Sequence, residues 1–292
     1  MTPGPRAAAV LRLAIIAAAA VGGRMPARTT HALARVGGTL EWAARPVKRR
    51  ILAENLGHAL GRPPADPGVR RAVRREFVNE ARRSADFLWA VAFPDQVAGM
   101  TRIEGLHHLR AALAHGRGAV VTGPHLGGWE VVTPLADALG IPAVALVDDN
   151  WLAWAVAGIR RRAGVEIAYV TEPPRRAARA LARGEVVVLL PEAAKPGMRA
   201  VEAELLGARV LLPAGPAALA RIAGAPIVPI AVLPLGPRAW RVELGKPIPP
   251  PPRRSGREGE RAAVQALADR WTPLLRAHAE HWAAVDPMPW LT

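Results

Sequence analysis

The sequence predicts an α/β fold: a central, mostly parallel sheet flanked by helices, with a helical N-terminal region and a C-terminal helix. Three observations predict it. Up to about residue 100 the apolar residues recur at helical spacing without a strand-like run. Beyond residue 100, short apolar runs alternate with helical stretches, and these helical stretches each end at a glycine, which suits a helix C-cap.

Taken in order, "RPVKRRILAENLGHALG" places Ile51, Leu52, Leu56 and Leu60 at helix-like intervals behind a cationic start. "ADPGVRRAVRREFVNEARRSADFLWAV" continues the period after a Pro-Gly turn. Six strands are expected at 119–123, 142–147, 166–170, 185–190, 226–235 and 240–244. Helices are expected between them in "VVTPLADALG", "LAWAVAGIRRRAG", "PRRAARALARG" and "AGPAALARIAG". The proline-rich stretch 245–260 reads as an exposed connector, and residues 261–285 read as a final helix broken near Pro273. The organisation is thus a helical membrane-associating region (1–100), an α/β core (101–250) and a connector with a C-terminal helix packing on the core (251–292), one structural domain overall. In such sheets ligands sit beyond the carboxyl ends of the strands.

Composition narrows the function. The 292 residues contain no cysteine, which excludes disulfides, thiolate metal sites and a cysteine nucleophile. The net charge is +15, and of 39 basic residues only Lys48, Lys195 and Lys246 are lysine, leaving 36 arginines. A field of this sign attracts an anionic membrane, a phosphorylated ligand or nucleic acid, and arginine-rich, alanine-rich usage also fits GC-rich coding. Nucleic acid is not expected, because neither interleaved aromatics nor a known binding motif accompanies the charge. The most apolar stretch, "AAAVLRLAIIAAAAVGG" at 7–23, is interrupted by Arg12 and weighted toward alanine, so it reads as a helix lying on a membrane or packing on the domain and not as a span.

The segment carrying chemistry is "AVVTGPHLGGWE". Read as strand, tight turn and helix, it places His125 at a strand's carboxyl end and Glu130 near the start of the next helix, with Gly127 and Gly128 between them. A carboxylate that accepts an imidazole N–H fixes the tautomer and raises the basicity of the other nitrogen, so His125 and Glu130 read as a general base and its orienting partner. The two serines, Ser84 and Ser255, lie outside any nucleophile elbow, and the phosphate-loop, zinc-protease and dinucleotide motifs are absent. The base is therefore expected to activate a hydroxyl carried by a substrate. "HAEH" at 278–281 offers two histidines without a third ligand nearby, and neither a metal nor a cofactor is expected.

The stretch "IEGLHHLRAALAHGRGAVVTGPHLGGWEVVTPLA" resembles the core of the lysophospholipid acyltransferase superfamily. Within it, the closer likeness is to the lipid A biosynthesis acyltransferases and the actinobacterial phosphatidylinositol mannoside acyltransferases. The likeness extends from "RRILAENLGHALG" to "HAEHWAAVDPMPW", nearly the whole chain. Histidine, four residues, then an acidic residue is that superfamily's catalytic signature. The resemblance implies transfer of an acyl group from a thioester, acyl-CoA in preference to acyl carrier protein, to a hydroxyl of a phospholipid or glycolipid. It also implies a peripheral position on the cytoplasmic face of a membrane. It assigns substrate binding to Arg160, Glu192, Gly127 and Gly128, with an oxyanion donor coming from the glycine turn or an arginine. At "PEAAKPG" the first acidic position is kept as Glu192, but Ala193 and Ala194 replace the arginine and second acid of relatives. Two other readings stand beside this one: a non-catalytic basic membrane- or nucleic-acid-binding relative, and an acyl-thioester hydrolase.

Overall fold

The structure is a computed structural model that describes residue 17 and residues 21–149 and 165–291. The helical region begins with α1 (Ala27–Ala44), α2 (Pro46–Leu60), α3 (Pro67–Ala92) and the short α4 (Pro94–Val97). α2 and α3 both start at prolines, whose fixed φ and missing N–H suit a first turn. The Asp66 carboxylate caps α3 by accepting the Gly68 N–H at 2.6 Å. α2 ends at Gly61 in the left-handed region, φ 61°. The candidate helix at 7–23 falls almost entirely outside the described residues.

From Thr101 the chain builds a sheet. β1 (Thr101–Glu104), α5 (Leu106–Leu113), β2 (Ala119–Thr122), α6 (Val132–Ala138), β3 (Ala143–Val147), β4 (Glu166–Tyr169), α7 (Arg175–Ala182) and β5 (Val186–Leu189) follow one another. A hairpin of β6 (Ala200–Leu205) and β7 (Ala208–Pro213) precedes α8 (Gly215–Ala223), β8 (Ile227–Gly236) and β9 (Ala239–Leu244). The chain closes with α9 (Gly256–Ala277) and β10 (Trp290–Leu291). The main sheet has seven strands in the order β1-β9-β8-β2-β5-β3-β4. β8, β2, β5, β3 and β4 run parallel, while β9 is antiparallel to β8 and β1 is parallel to β9. The middle of the sheet is covered on both faces, which is why β2, β3, β5 and β8 read as apolar runs, whereas β1 and β9 toward one edge mix polar and apolar residues. In β2, Val120 joins the core under α2, α3, α8 and α9, while Ala119 and Val121 join the one under α5 and α6.

All six expected strands are present, and the glycines after α6, α7 and α8 (Gly140, Gly184 and Gly224) have φ of 62°, 82° and 67°. The expected helix in "LAWAVAGIRRRAG" lies outside the described residues. The proline-rich stretch is exposed over much of its length and joins β9 to α9, which begins at Gly256. It is pinned at Ile248, which exchanges backbone hydrogen bonds with Ile227, and at the fully buried Glu260, paired with Arg221 at 2.9 Å and Arg199 at 2.6 Å. One expectation is corrected: the final helix does not break at Pro273. α9 runs through it to Ala277, since the one backbone hydrogen bond a proline removes is offset by burial of Leu267, Trp271 and Leu275 along the same helix.

The first and last parts of the chain meet across one core. Leu52, Leu56 and Phe77 share it with Trp271 and Trp282. Asn55, almost fully buried, donates to the carbonyls of Ala284 and Asp286 at 2.9 and 3.0 Å and accepts the Trp290 indole N–H at 3.1 Å. Asn55→Ala is therefore expected to cost about 2–4 kcal/mol, because the buried Ala284 carbonyl, the partly buried Asp286 carbonyl and an indole N–H lose their partner together. The midpoint of urea-induced unfolding measures this.

Candidate active site

β2 delivers the site. After Thr122 the chain passes Gly123 and Pro124, reaches His125, turns at Gly127 and Gly128, and enters a 3-10 turn at Trp129–Val131 that leads into α6. The turn runs against the backbone of β8. A Cβ built on Gly123 would lie 2.0 Å from the Ile230 carbonyl oxygen, and one on Gly127, where φ is +60°, would lie 2.0 Å from that of Val232. On Gly128 it would lie 2.5 Å from the Trp240 indole nitrogen. These glycines exist for close backbone approach. On the side where a Cβ would stand, the space beside Gly127 and Gly128 is filled by β8 and Trp240. The Gly127 N–H is already engaged, because it donates to the His281 carbonyl at 2.9 Å.

The orienting carboxylate is also different from the one expected. The Nδ1 atom of His125 lies 2.6 Å from Glu192 Oε2, while the His125 backbone N–H donates to Glu192 Oε1 at 2.8 Å. Glu192 thus has a closer relation to the base than the substrate contact expected of it. Sheet order explains the pairing. β5 lies next to β2 with Thr122 paired to Leu189, so the loops leaving the two carboxyl ends emerge side by side. Glu130 stands in the 3-10 turn and acts on His125 through space as a charge, so the Nδ1 contact expected of it belongs to Glu192. Because a carboxylate only accepts, Nδ1 carries the proton and Nε2 keeps the lone pair.

The His125 side chain is 37% exposed and that of Glu192 9%. Burial alone would depress the imidazolium. The charge and hydrogen bond of Glu192, aided by Glu130 and Asp148, outweigh it and hold His125 above the ordinary histidine value.

Three residues not foreseen from the sequence complete the surroundings. Trp282, fully buried, donates its indole N–H to Glu192 Oε1 at 2.6 Å. Its backbone belongs to a strap that follows α9: the Ala283 N–H donates to the His125 carbonyl at 2.9 Å, and Leu126 bridges to Trp282. Trp129 meets the His125 ring edge-on, with centroids 5.0 Å apart. The Arg83 guanidinium lies over the Trp129 ring at 5.3 Å and forks onto Glu76 at 2.5 and 3.2 Å. Glu76 is fully buried, and burial raises it to about 7 against the pull of Arg83.

Arg160 lies outside the described residues. "HAEH" holds no metal constellation, since no group of three or more His, Cys, Asp or Glu side chains placed to bind an ion occurs among the described residues. Burial pushes His281 down to about 4, so its ring is neutral near pH 7. A cleft of about 480 Å³ runs along α7, lined by Glu166, Glu172 and four arginines, and none of the site residues lines it.

Comparison with known proteins decides the family. Residues 6–287 match the model of the bacterial lipid A biosynthesis acyltransferases. The chain belongs to this acyltransferase family. It is 28% identical over 271 residues to a phosphatidylinositol mannoside acyltransferase of Mycobacterium tuberculosis, covering 82% of this chain and 76% of the relative. It is 26% identical over 287 residues to the enzyme of that name from Mycolicibacterium smegmatis, covering 92% and 89%. Among solved structures, the 1-acyl-sn-glycerophosphate acyltransferase PlsC from Thermotoga maritima aligns at 15% identity with a TM-score of 0.37, covering 71% of this chain and 88% of that one.

For this family member the geometry ranks the two carboxylates. Glu192→Gln is expected to lower kcat about a hundredfold and Glu130→Gln by less, because Glu192 contacts Nδ1 directly while Glu130 acts on the ring as a nearby charge. With His125 as the expected general base, turnover needs the unprotonated imidazole, so the acid limb of the wild-type pH–kcat profile should lie above the ordinary histidine value. In Glu192→Gln it should move to lower pH, since burial then acts with less opposition. Steady-state kinetics across pH measures both.

Proposed function

We propose that the chain transfers a fatty acyl group from an acyl thioester, acyl-CoA in preference to acyl carrier protein, to a hydroxyl of a membrane phospholipid or glycolipid, with a phosphatidylinositol mannoside as the favoured acceptor. The His125–Glu192 pair carries this reading. Nε2 takes the proton of the acceptor hydroxyl as its oxygen attacks the thioester carbonyl, and Glu192 orients the ring and stabilises the imidazolium that forms. The C–S bond then breaks, and the departing thiolate receives the proton from Nε2. A thiolate leaves readily, so the single base serves both halves of the step. The chain's cysteine-free composition and the setting of its two serines favour direct transfer over a covalent acyl-enzyme. The acceptor follows from the phosphatidylinositol mannoside acyltransferases to which the chain is similar.

Peripheral attachment at the cytoplasmic face belongs to the same proposal. No helix among the described residues is long and apolar enough to cross a membrane. α1 instead turns outward a stripe of Leu33, Val36 and Leu40, 58%, 59% and 65% exposed, continued by Val47 at the start of α2. Arg28, Arg35 and Arg50 stand exposed beside it. The opposite face of α1 is fixed to α3 where Gly38 meets the Phe77 backbone so closely that a Cβ would lie 2.5 Å from its carbonyl oxygen. An apolar stripe bordered by cations suits the interface of an anionic bilayer, with each near-surface cation worth about 1 kcal/mol.

Two outcomes are expected. His125→Ala should abolish acyl transfer from radiolabelled acyl-CoA to a lipid acceptor while vesicle binding is kept; retained turnover contradicts the assignment. Product analysis without acceptor also separates transferase from thioester hydrolase, which releases free fatty acid at an undiminished rate. Replacing Leu33, Val36 and Leu40 together with serine should weaken partitioning onto anionic vesicles about tenfold or more in a sedimentation assay. Transfer to a detergent-solubilised acceptor should stay unchanged.

A further inference from the structure

Glu192 is a nearly buried carboxylate whose oxygens have different tasks. Oε2 faces His125 Nδ1, while Oε1 receives two donors, the His125 backbone N–H at 2.8 Å and the Trp282 indole N–H at 2.6 Å. One donor would not settle the plane of this group. The terminal torsion of a glutamate is broad and roughly two-fold, so a carboxylate anchored at one point pivots and can exchange its oxygens. A second donor from a different direction removes that freedom and leaves Oε2 facing the imidazole.

The indole is suited to this task. Its ring is fully buried and its backbone is bridged to Leu126, the residue after the base, so the N–H has a fixed position relative to the catalytic loop. A carboxylate withdrawn from water needs donors in place of solvent, and a charge-assisted bond of 2.6 Å is a strong one. The strap is itself anchored from outside. Asn79 on α3 donates to the Glu280 carbonyl at 2.7 Å, and Asn55 holds the carbonyls of Ala284 and Asp286.

We propose that Trp282 is a positioning residue for acyl transfer, acting through its indole N–H to hold the Glu192 carboxylate in the one orientation that serves His125. This rests on the reading of His125 as the base. Trp282 also fills the core, so the two roles must be separated by removing the N–H and keeping the ring volume.

Trp282→Phe does so. The expected result is a kcat lowered about thirtyfold, the scale of a lost hydrogen bond to a charged group, with the KM for acyl-CoA unchanged. The acid limb of its pH–kcat profile should shift to lower pH, because a carboxylate free to turn supports the imidazolium less well. A variant within about twofold of wild type in kcat and with an unmoved profile overturns the proposal. If Trp282→Phe does not fold, benzothienylalanine incorporated at 282 replaces the N–H by sulfur in a ring of nearly the same shape, and the same readouts apply. His125→Ala, assayed alongside, keeps the two readings apart. An inactive His125→Ala with an unaffected Trp282→Phe defeats only the role of the indole, whereas an active His125→Ala defeats the base itself.

Discussion

A single carboxylate, that of Glu192, accepts hydrogen bonds from the backbone and ring of His125 and from the indole of Trp282, and much of the remaining architecture makes those three contacts possible. A charge with 9% of its side chain exposed persists only where donors replace water. The donors come from parts of the chain 67 and 90 residues away, so the site exists only once the sheet has formed and the last segment has closed over it. The parallel order β2-β5 supplies the first contact by placing two strand ends side by side. The strap after α9 supplies the second, and Asn55 ties that strap down from the helical region.

α3 links the two working faces of the molecule. Its outward side meets α1, whose apolar stripe faces solvent. Its inner side carries Asn79, bonded to the strap, and Arg83, which lies over Trp129 next to His125. On the proposed reading, a protein that acts on a lipid at a membrane surface needs its base at a fixed distance from that surface, and one 26-residue helix packed against α1 on one side and bearing Arg83 near His125 on the other serves that need. Arg83 is held for its position by a fully buried Glu76, a partner that burial disfavours in its charged form, so the fork between them compensates a desolvated charge on each side.

The sequence makes most of the sheet legible, because strands buried on both faces appear as continuous apolar runs and the helices between them end at glycines that adopt positive φ. β1 is hidden by its length, four residues of "TRIE". The β6–β7 hairpin alternates as a strand should, with Val201, Ala203 and Leu205 inward, but turns at Leu206-Gly207 without the asparagine-glycine signal of a tight hairpin. His125 is visible because its chemistry is local: strand end, glycine turn, imidazole. Its partner is not, since proximity in sequence favours Glu130 while sheet order brings Glu192 to Nδ1. Gly127 and Gly128 illustrate the same limit. Their presence announces a tight approach, and only the fold reveals that β8 and Trp240 are among the groups that make it. Trp282 gives no local sign at all, because its contact depends on the closure of the C-terminal strap.

The state of the His125 ring is the most direct test of this account. Nitrogen-15 NMR of the histidine side chains, with His125 assigned through His125→Ala, reports both tautomer and titration midpoint. The account predicts a proton on Nδ1, a bare Nε2 in the neutral form and a midpoint above the ordinary histidine value, as a carboxylate at Nδ1 requires. A neutral ring protonated on Nε2, or a midpoint below that of an ordinary histidine, contradicts it.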